Sequence, residues 1–260
     1  MDFKKWIYSG NSLVWKTKVN KNKCYFLAVE TSSRTGSAAL GCDGKLLAAV
    51  EFAAGVRHGV ELIPAVDRMM RQAGLQPGQM DVICVSSGPG SFTGLRVGFT
   101  FARCLAQLTG AKLIAVSSTR VIVENLMPML AEKSETIYLA PILDAKRKQV
   151  YTAGYLWQDG KIHPILEECV LTPAQLMEKL GRPLWLTGEG LDYHRQSFTD
   201  ENGLTFIDRP YWFGQAQNVL KLGFELAREG RFVPYNNFVP TYVRLPEAEE
   251  RWQQQHPADH

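Results

Sequence analysis

The chain has 260 residues, 45% hydrophobic and 21% charged, with a formal net charge of +3 and a pI near 8.5. That length suits one large domain or two lobes of ~130 residues and is enough to bury a substantial core. The charge balance is too weakly basic to mark a nucleic-acid binder by itself. No run approaches the ~18 apolar residues of a membrane span, and the opening MDFKKWIYSGNSLVWKTKVNKNK lacks the apolar stretch of a signal peptide. A cytoplasmic protein without a membrane partner is therefore expected. Cys24, Cys42, Cys84, Cys104 and Cys169 are odd in number and form no CxxC, which fits a reducing compartment and thiols used as small core residues.

Residues 1–23 read as an extension, expected to be disordered: Lys16, Lys18, Lys21 and Lys23 alternate with polar residues that bury little. It is either an appendage left by a tag remnant or an upstream start, or a basic arm for nucleic acid. CYFLAVETS (24–32) is the first strand. SAALGCDGKLLAAVEFAA places Asp43-Gly44 between two apolar runs, a hairpin signature. The spacing of Leu62, Val66, Met69 and Ala73 predicts a helix over 58–74, with Gly74 at its end and Pro64 in an early turn or at a kink. MDVICVSSG is a continuous apolar strand of the doubly buried kind. A helix over 92–108, the strand AKLIAVSS and a helix over about 118–129 follow.

A second half opens near Thr136. IYLAPILDAKRKQVYTAGYLWQDGKI reads as strand, turn, strand, an Asp159-Gly160 turn and strand. It repeats the first hairpin about 115 residues on, each copy headed by a carboxylate, Glu30 or Asp144. The repeat points to an internally duplicated two-lobed α/β fold, with lobes at 24–132 and 133–245. A helix over 172–180, the strand PLWLTGEG, a helix over 215–229 and a polar tail at 246–260 complete the chain.

SSGPGSFTGLRVGFTFARCLA (86–106) begins like a phosphate cradle. A P-loop needs GxxxxGK[ST], and Leu95-Arg96 stands where Lys-Ser/Thr should. A dinucleotide loop needs GxGxxG, and the spacing of Gly88, Gly90 and Gly94 is one residue too long. Two readings stay open: amides offered to an anion at the helix start, or a tight strand-to-helix turn capped by Ser91 or Thr93. On the first, Glu30, Ser32, Gly88, Gly90, Ser91 and Asp144 are the nucleotide or phosphate candidates, the two carboxylates holding magnesium or water beside phosphates.

In the helix itself Gly94, Gly98, Ala102 and Ala106 recur every four residues. This stripe of small residues either packs inside its own domain or admits a second backbone. On the second reading the partner interface comprises the stripe, Leu62, Val66, Met69 and Met70 from the 58–74 helix, and Arg96 and Arg103 at the rim. His58, His163, His194, His256 and His260 form no HExxH, so no metal site is expected. Ser91 lacks a GxSxG elbow, and no catalytic residue is assigned. Lys146-Arg147-Lys148 is either a solvated hairpin turn or a contact to RNA phosphate.

SSGPGSFTGLRVGFTFARCLA resembles the GPGSFTGxRxG segment of the bacterial TsaB family, once grouped with glycoprotease-like proteins. The likeness extends through AVETSSRTGSAAL, HGVELIPAVDRM, KLIAVSSTRVI, ILDAKRKQVYTAGY and VPTYVR, over about residues 24–245. The resemblance implies the two-lobed fold of actin, Hsp70 and sugar kinases, with mixed sheets flanked by helices. It also implies a role in making threonylcarbamoyladenosine in tRNA. In that system the paralogue TsaD transfers the threonylcarbamoyl group and TsaE is an ATPase. The family member is a partner protein, homodimeric when alone, that meets tRNA through the complex. It holds no cofactor tightly, ATP or ADP belonging to the complex. TsaD carries metal-binding histidines where this chain reads Ser117-Ser118-Thr119-Arg120-Val121-Ile122, and Glu30 stands where this fold often has Asp. The expected function is a non-catalytic assembly partner of TsaD. The alternative is a nucleotide-dependent phosphotransferase of the same fold. A metalloprotease, suggested by the old grouping alone, is opposed by the scattered histidines.

Overall fold

The computed structural model describes residues 8–9, 12–13, 23–52, 58–199 and 202–244. β1 (Tyr8–Ser9) pairs antiparallel with β2 (Ser12–Leu13). The rest of the extension before Lys23, with its expected disorder, and the 246–260 tail lie outside the described residues. The chain divides into two compact units, one running to Asn125 and including Phe213–Pro240, the other comprising Leu126–Trp212 and the residues from Thr241.

The first unit is built on β3 (Tyr25–Glu30), β4 (Gly36–Cys42), β5 (Lys45–Phe52), β6 (Val82–Ser86) and β7 (Lys112–Val116), in the order β5-β4-β3-β6-β7. β3, β4 and β5 run antiparallel in succession, while β3, β6 and β7 are parallel. Asp43 (φ 50°) and Gly44 (φ 80°) are both left-handed, the conformation that a two-residue hairpin with right-twisted strands requires. Alternation along the strands feeds two cores. Leu27, Val29, Leu40, Ile83 and Val85 face α1 (His58–Gln72) and α2 (Phe92–Thr109), meeting Leu62, Met69 and Phe99. Phe26, Ala28, Cys84 and Ile114 face the other way. Burial of each large side chain contributes about 1.5–3 kcal/mol. Pro64 lies within α1, in its second turn. α3 (Ser118–Glu124) follows β7.

In the second unit α4 (Met127–Leu130) precedes β8 (Ile137–Pro141), β9 (Leu143–Asp144), β10 (Val150–Gln158), β11 (Lys161–Leu171), α5 (Pro173–Lys179), β12 (Leu184–Thr187), α6 (Leu191–His194) and β13 (Leu204–Phe206). The sheet order is β11-β10-β8-β12-β13, with β9 also on β10. β8, β10 and β11 are antiparallel in succession and β8, β12 and β13 parallel. This is the first sheet's order and direction, strand for strand. The turn repeats as well, with Asp159 at φ 52° and Gly160 at φ 73°. The architecture is the expected α/β arrangement, two duplicated units of mixed sheet flanked by helices.

Two expectations shift. The helix read over 118–129 is two helices, because Pro128 has no N–H for a continuous ladder and sits instead in the first turn of α4. The boundary lies at 125/126, and residues 213–240, read with the second lobe, complete the first unit. α7 (Ala216–Arg228) closes its second core with Val219 and Leu220. A Cβ at Gly41 would stand 2.8 Å from Leu220 Cδ2, so this glycine gives the helix room to approach β4.

Candidate functional site

The Gly-rich loop joins β6 to α2. Gly88 is left-handed at φ 111°, and Ser91 caps the helix, its Oγ accepting from the Gly94 amide at 3.2 Å. The amides of Ser87, Gly88, Ser91 and Gly94 are engaged by the chain itself. Ser87 N–H donates to the Val116 carbonyl (2.7 Å), Ser91 N–H to the Ser32 carbonyl (2.7 Å) and Leu95 N–H to the Ser91 carbonyl (2.8 Å). Gly88 N–H donates to Ser118 Oγ at 3.0 Å. A Cβ at Gly90 would collide with the Ser32 carbonyl oxygen. Gly88, Gly90 and Ser91 thus serve a tight turn against the exit of β3, and a phosphate would have to displace these bonds to reach the Gly88 and Ser91 amides.

Glu30 ends β3 and is fully buried. Its Oε1 accepts from Ser32 N–H and Ser32 Oγ, both at 2.5 Å, and its Oε2 from Ser86 Oγ. Gly214 closes over it, since a Cβ there would stand 2.8 Å from Oε2. Glu30 and Ser32 are therefore together with the loop, as the phosphate reading required, but the carboxylate is turned into internal donors. Asp144 lies in the other unit. Its Oδ1 accepts from Lys146 N–H (2.9 Å) and meets His194 Nε2 (3.0 Å), and its Oδ2 pairs with Lys146 Nζ (2.6 Å). Burial acts to raise its pKa, but the hydrogen bonds from Lys146 and His194 outweigh it and hold the carboxyl below its ordinary value. Sequence reasoning missed His194 as a partner of Asp144: the two are 50 residues apart and no motif links them. Of the five free thiols, only Cys84 is fully buried; burial pushes its pKa up, as it does for Cys24, Cys42 and Cys169.

The stripe of small residues packs inside its own unit. A Cβ at Gly94 would overlap the Thr31 carbonyl oxygen, and one at Gly98 would lie 2.5 Å from Thr31 Oγ1 and 3.2 Å from Val85 Cγ1. Ala102 and Ala106 are buried in the same core, and Leu62, Val66, Met69 and Met70 belong to it too. The reason lies in the sheet: β3 pairs with β6, so the backbone leaving β3 passes against α2 and needs the clearance. These eight residues are corrected from interface to core. The outward surface of the two helices is different. On α1, Val60 is 71% exposed and Ile63 60%; on α2, Phe92 and Leu108 are exposed. Arg96 is exposed, its guanidinium 3.9 Å from the Phe92 ring centroid. Arg103 is half-buried over Tyr235 at 4.7 Å.

Where the resemblance puts histidines in the transferase, this chain has hydroxyls at work on the backbone. Ser117 Oγ caps α3 by accepting from Arg120 N–H at 3.1 Å and lies 2.8 Å from Thr119 Oγ1. A family model described as TsaD, tRNA N6-adenosine threonylcarbamoyltransferase, matches residues 52–206. The tRNA threonylcarbamoyladenosine biosynthesis protein TsaB of Bacillus subtilis is 30% identical over 230 residues, 87% of this chain and 96% of that protein. The chain belongs to the TsaB family. The Escherichia coli family member is 27% identical over 224 residues, covering 84% of this chain and 94% of its own. A Pseudomonas aeruginosa crystal structure, described as an uncharacterized protein with similarity to peptidase YEAZ, superposes with a TM-score of 0.72 at 24% identity, over 85% of this chain and all of the other. That likeness establishes the fold, and the Bacillus subtilis sequence carries the family assignment.

Proposed function

We propose that this chain is the non-catalytic assembly partner of a TsaD-type transferase in forming threonylcarbamoyladenosine in tRNA. The observation that carries this reading is the 30% identity spanning 96% of a protein named for that pathway. The site geometry supports the non-catalytic part: Glu30 is enclosed by Ser32 and Ser86, and the Gly88 and Ser91 amides are bonded within the chain. The outward face of α1 and α2, with Val60, Ile63, Phe92 and Arg96, is the surface for the partner, an apolar patch rimmed by charge. The same face serves a homodimer when the chain is alone, and a TsaE-type ATPase completes the complex. Nucleotide belongs to the complex and is not held tightly by this chain. Among the described residues no helix is long and apolar enough to cross a membrane, and a cytoplasmic site of action agrees with a tRNA substrate.

Co-purification with the TsaD- and TsaE-type proteins of the same cell, and assay of tRNA modification with each omitted, tests the reading. Modification is expected to require all three. Product formed by this chain alone, or undiminished when it is left out, would overturn it. Calorimetry with ATP on the isolated chain is expected to show no tight binding. Tight binding abolished by Asp144→Ala would instead favour the phosphotransferase.

A further inference from the structure

We propose that the Lys146–Lys148 turn of the second unit, with Tyr193 beside it, is an RNA-binding site: the cations hold backbone phosphates and the phenol ring stacks an unpaired base. The proposed function supplies only the identity of the RNA, tRNA; the site stands on its own geometry. Lys146, Arg147 and Lys148 have φ of 61°, 51° and 59°, three successive L residues in the left-handed region. Such runs are costly because Cβ crowds the following carbonyl, and Gly or Asn is the ordinary choice. Among the described residues the other non-glycine positions of this kind are Asp43 and Asp159, single members of hairpin turns. Here three long cations occupy positions where the backbone favours residues without them, the pattern expected where side-chain identity matters more than ease of folding.

The turn is also braced. Lys146 C=O accepts from Gln149 N–H (2.9 Å) and Gln149 C=O from Ala145 N–H (3.0 Å). Asp144 holds the Lys146 amide and ammonium from one side, itself held by His194. Arg244 clamps the other, donating to the Ala145 carbonyl at 2.9 Å and Gln149 Oε1 at 2.7 Å. Arg147 and Lys148 are exposed on this frame, and Lys146 is 82% exposed. Fixed in this way, the backbone that carries the cations need not be ordered on binding, leaving only their side chains to be held. Tyr193, on α6, is 57% exposed, with its ring centroid 5.7 Å from Lys146 Nζ. Cations beside an exposed aromatic ring match single-stranded RNA, whose phosphates and splayed bases need both. Carboxylates of a protein partner would use the cations without needing the ring.

The test is anisotropy of labelled tRNA transcript with the full chain, alone and in complex with its TsaD- and TsaE-type partners, across a KCl series. Arg147→Ala/Lys148→Ala is expected to weaken binding about tenfold at 0.1 M KCl and to lower the slope of log affinity on log salt by about 1–2. Tyr193→Ala should weaken it about 5- to 100-fold and leave the slope unchanged. Lys148→Gly should raise the thermal midpoint, since glycine relieves the left-handed backbone, while weakening tRNA binding. A purely structural role would not give those opposite signs. Unchanged affinity and slope in the double variant overturn the proposal. So does lost assembly with the protein partners at unchanged tRNA affinity, which would make the turn a protein contact. Failure of the functional reading shows separately, as a wild-type complex that modifies no tRNA while the binding series still reports on the site.

Discussion

Thr31, the residue after β3, is fully buried against α2, with Gly94 and Gly98 as its neighbours. Gly98→Leu therefore overpacks a site bounded by Thr31 Oγ1 and Val85, at a cost of about 1–3 kcal/mol, of which the better helix former returns no more than about 1 kcal/mol. The expected result is a lower urea midpoint with unchanged partner affinity for the folded fraction; lost affinity at unchanged stability would restore the stripe to an interface. Asp144 makes a second prediction at this scale. Its folded pKa lies below the ordinary value, so its bonds contribute stability that is complete above the unfolded value and is lost as pH falls through the folded one. Below about pH 4 the urea midpoint should decline, and Asp144→Asn should remove that part of the acid dependence. An identical acid limb in the variant would show that other carboxylates carry it. At this scale the sequence was least informative. The four-residue stripe was plain, but whether it met another protein or the carbonyl of Thr31 depended on β3 lying beside β6, which no local pattern encodes. The brace from His194 and Arg244 to the Asp144 turn was equally hidden, because both residues are distant in the chain.

The outward face of α1 and α2 belongs to the element scale. Val60 and Ile63 stand one turn apart and exposed on α1, and burying them is the clearest gain a partner could make. Ile63→Asp should leave thermal unfolding of the chain unchanged and weaken transferase binding by about 2 kcal/mol or more, near thirtyfold. Arg96→Glu, at the rim, should chiefly slow association and flatten its salt dependence; stopped-flow measurement separates the two. If Ile63→Asp binds normally, the partner sits elsewhere. Elements with strong local chemistry were legible in advance. Asp-Gly turns marked both hairpins, and of the two cap candidates Ser91 and Thr93 the structure uses Ser91 at the start of α2. α6 and β13 are too short to show a period, and the break between α3 and α4 needed the weight of Pro128 against an otherwise apolar helical run.

At the scale of the whole molecule the matched strand orders of the two sheets are the main fact, foreshadowed by the repeated carboxylate and hairpin. The return of residues 213–240 was not. The pattern of α7 shows that it must bury a face, not which sheet receives it. Its docking is specific: Ala216 N–H donates to Ser37 Oγ at 2.9 Å, and Asn125 Nδ2 donates to the Phe213 carbonyl at 2.8 Å, tying the two strands of chain where they cross the unit boundary. A fragment of residues 23–125 should therefore show no cooperative unfolding by circular dichroism, and joining 213–240 through a flexible linker should restore it. Cooperative melting of the short fragment would mean that α7 is dispensable.

That late return bears on how the chain emerges from the ribosome. The sheet formed by β3, β4, β6 and β7 is synthesised early, yet the helix that covers Phe26, Ala39, Val82 and Ile114 comes only after residues 126–212 of the second unit have been made. Until then one apolar face of the nascent sheet has no covering layer. The second unit's sheet, by contrast, is synthesised without interruption. Ribosome stalling anywhere between 126 and 212 would release a product with that face bare, a natural client for chaperones that bind extended apolar segments and a seed for aggregation if they are saturated.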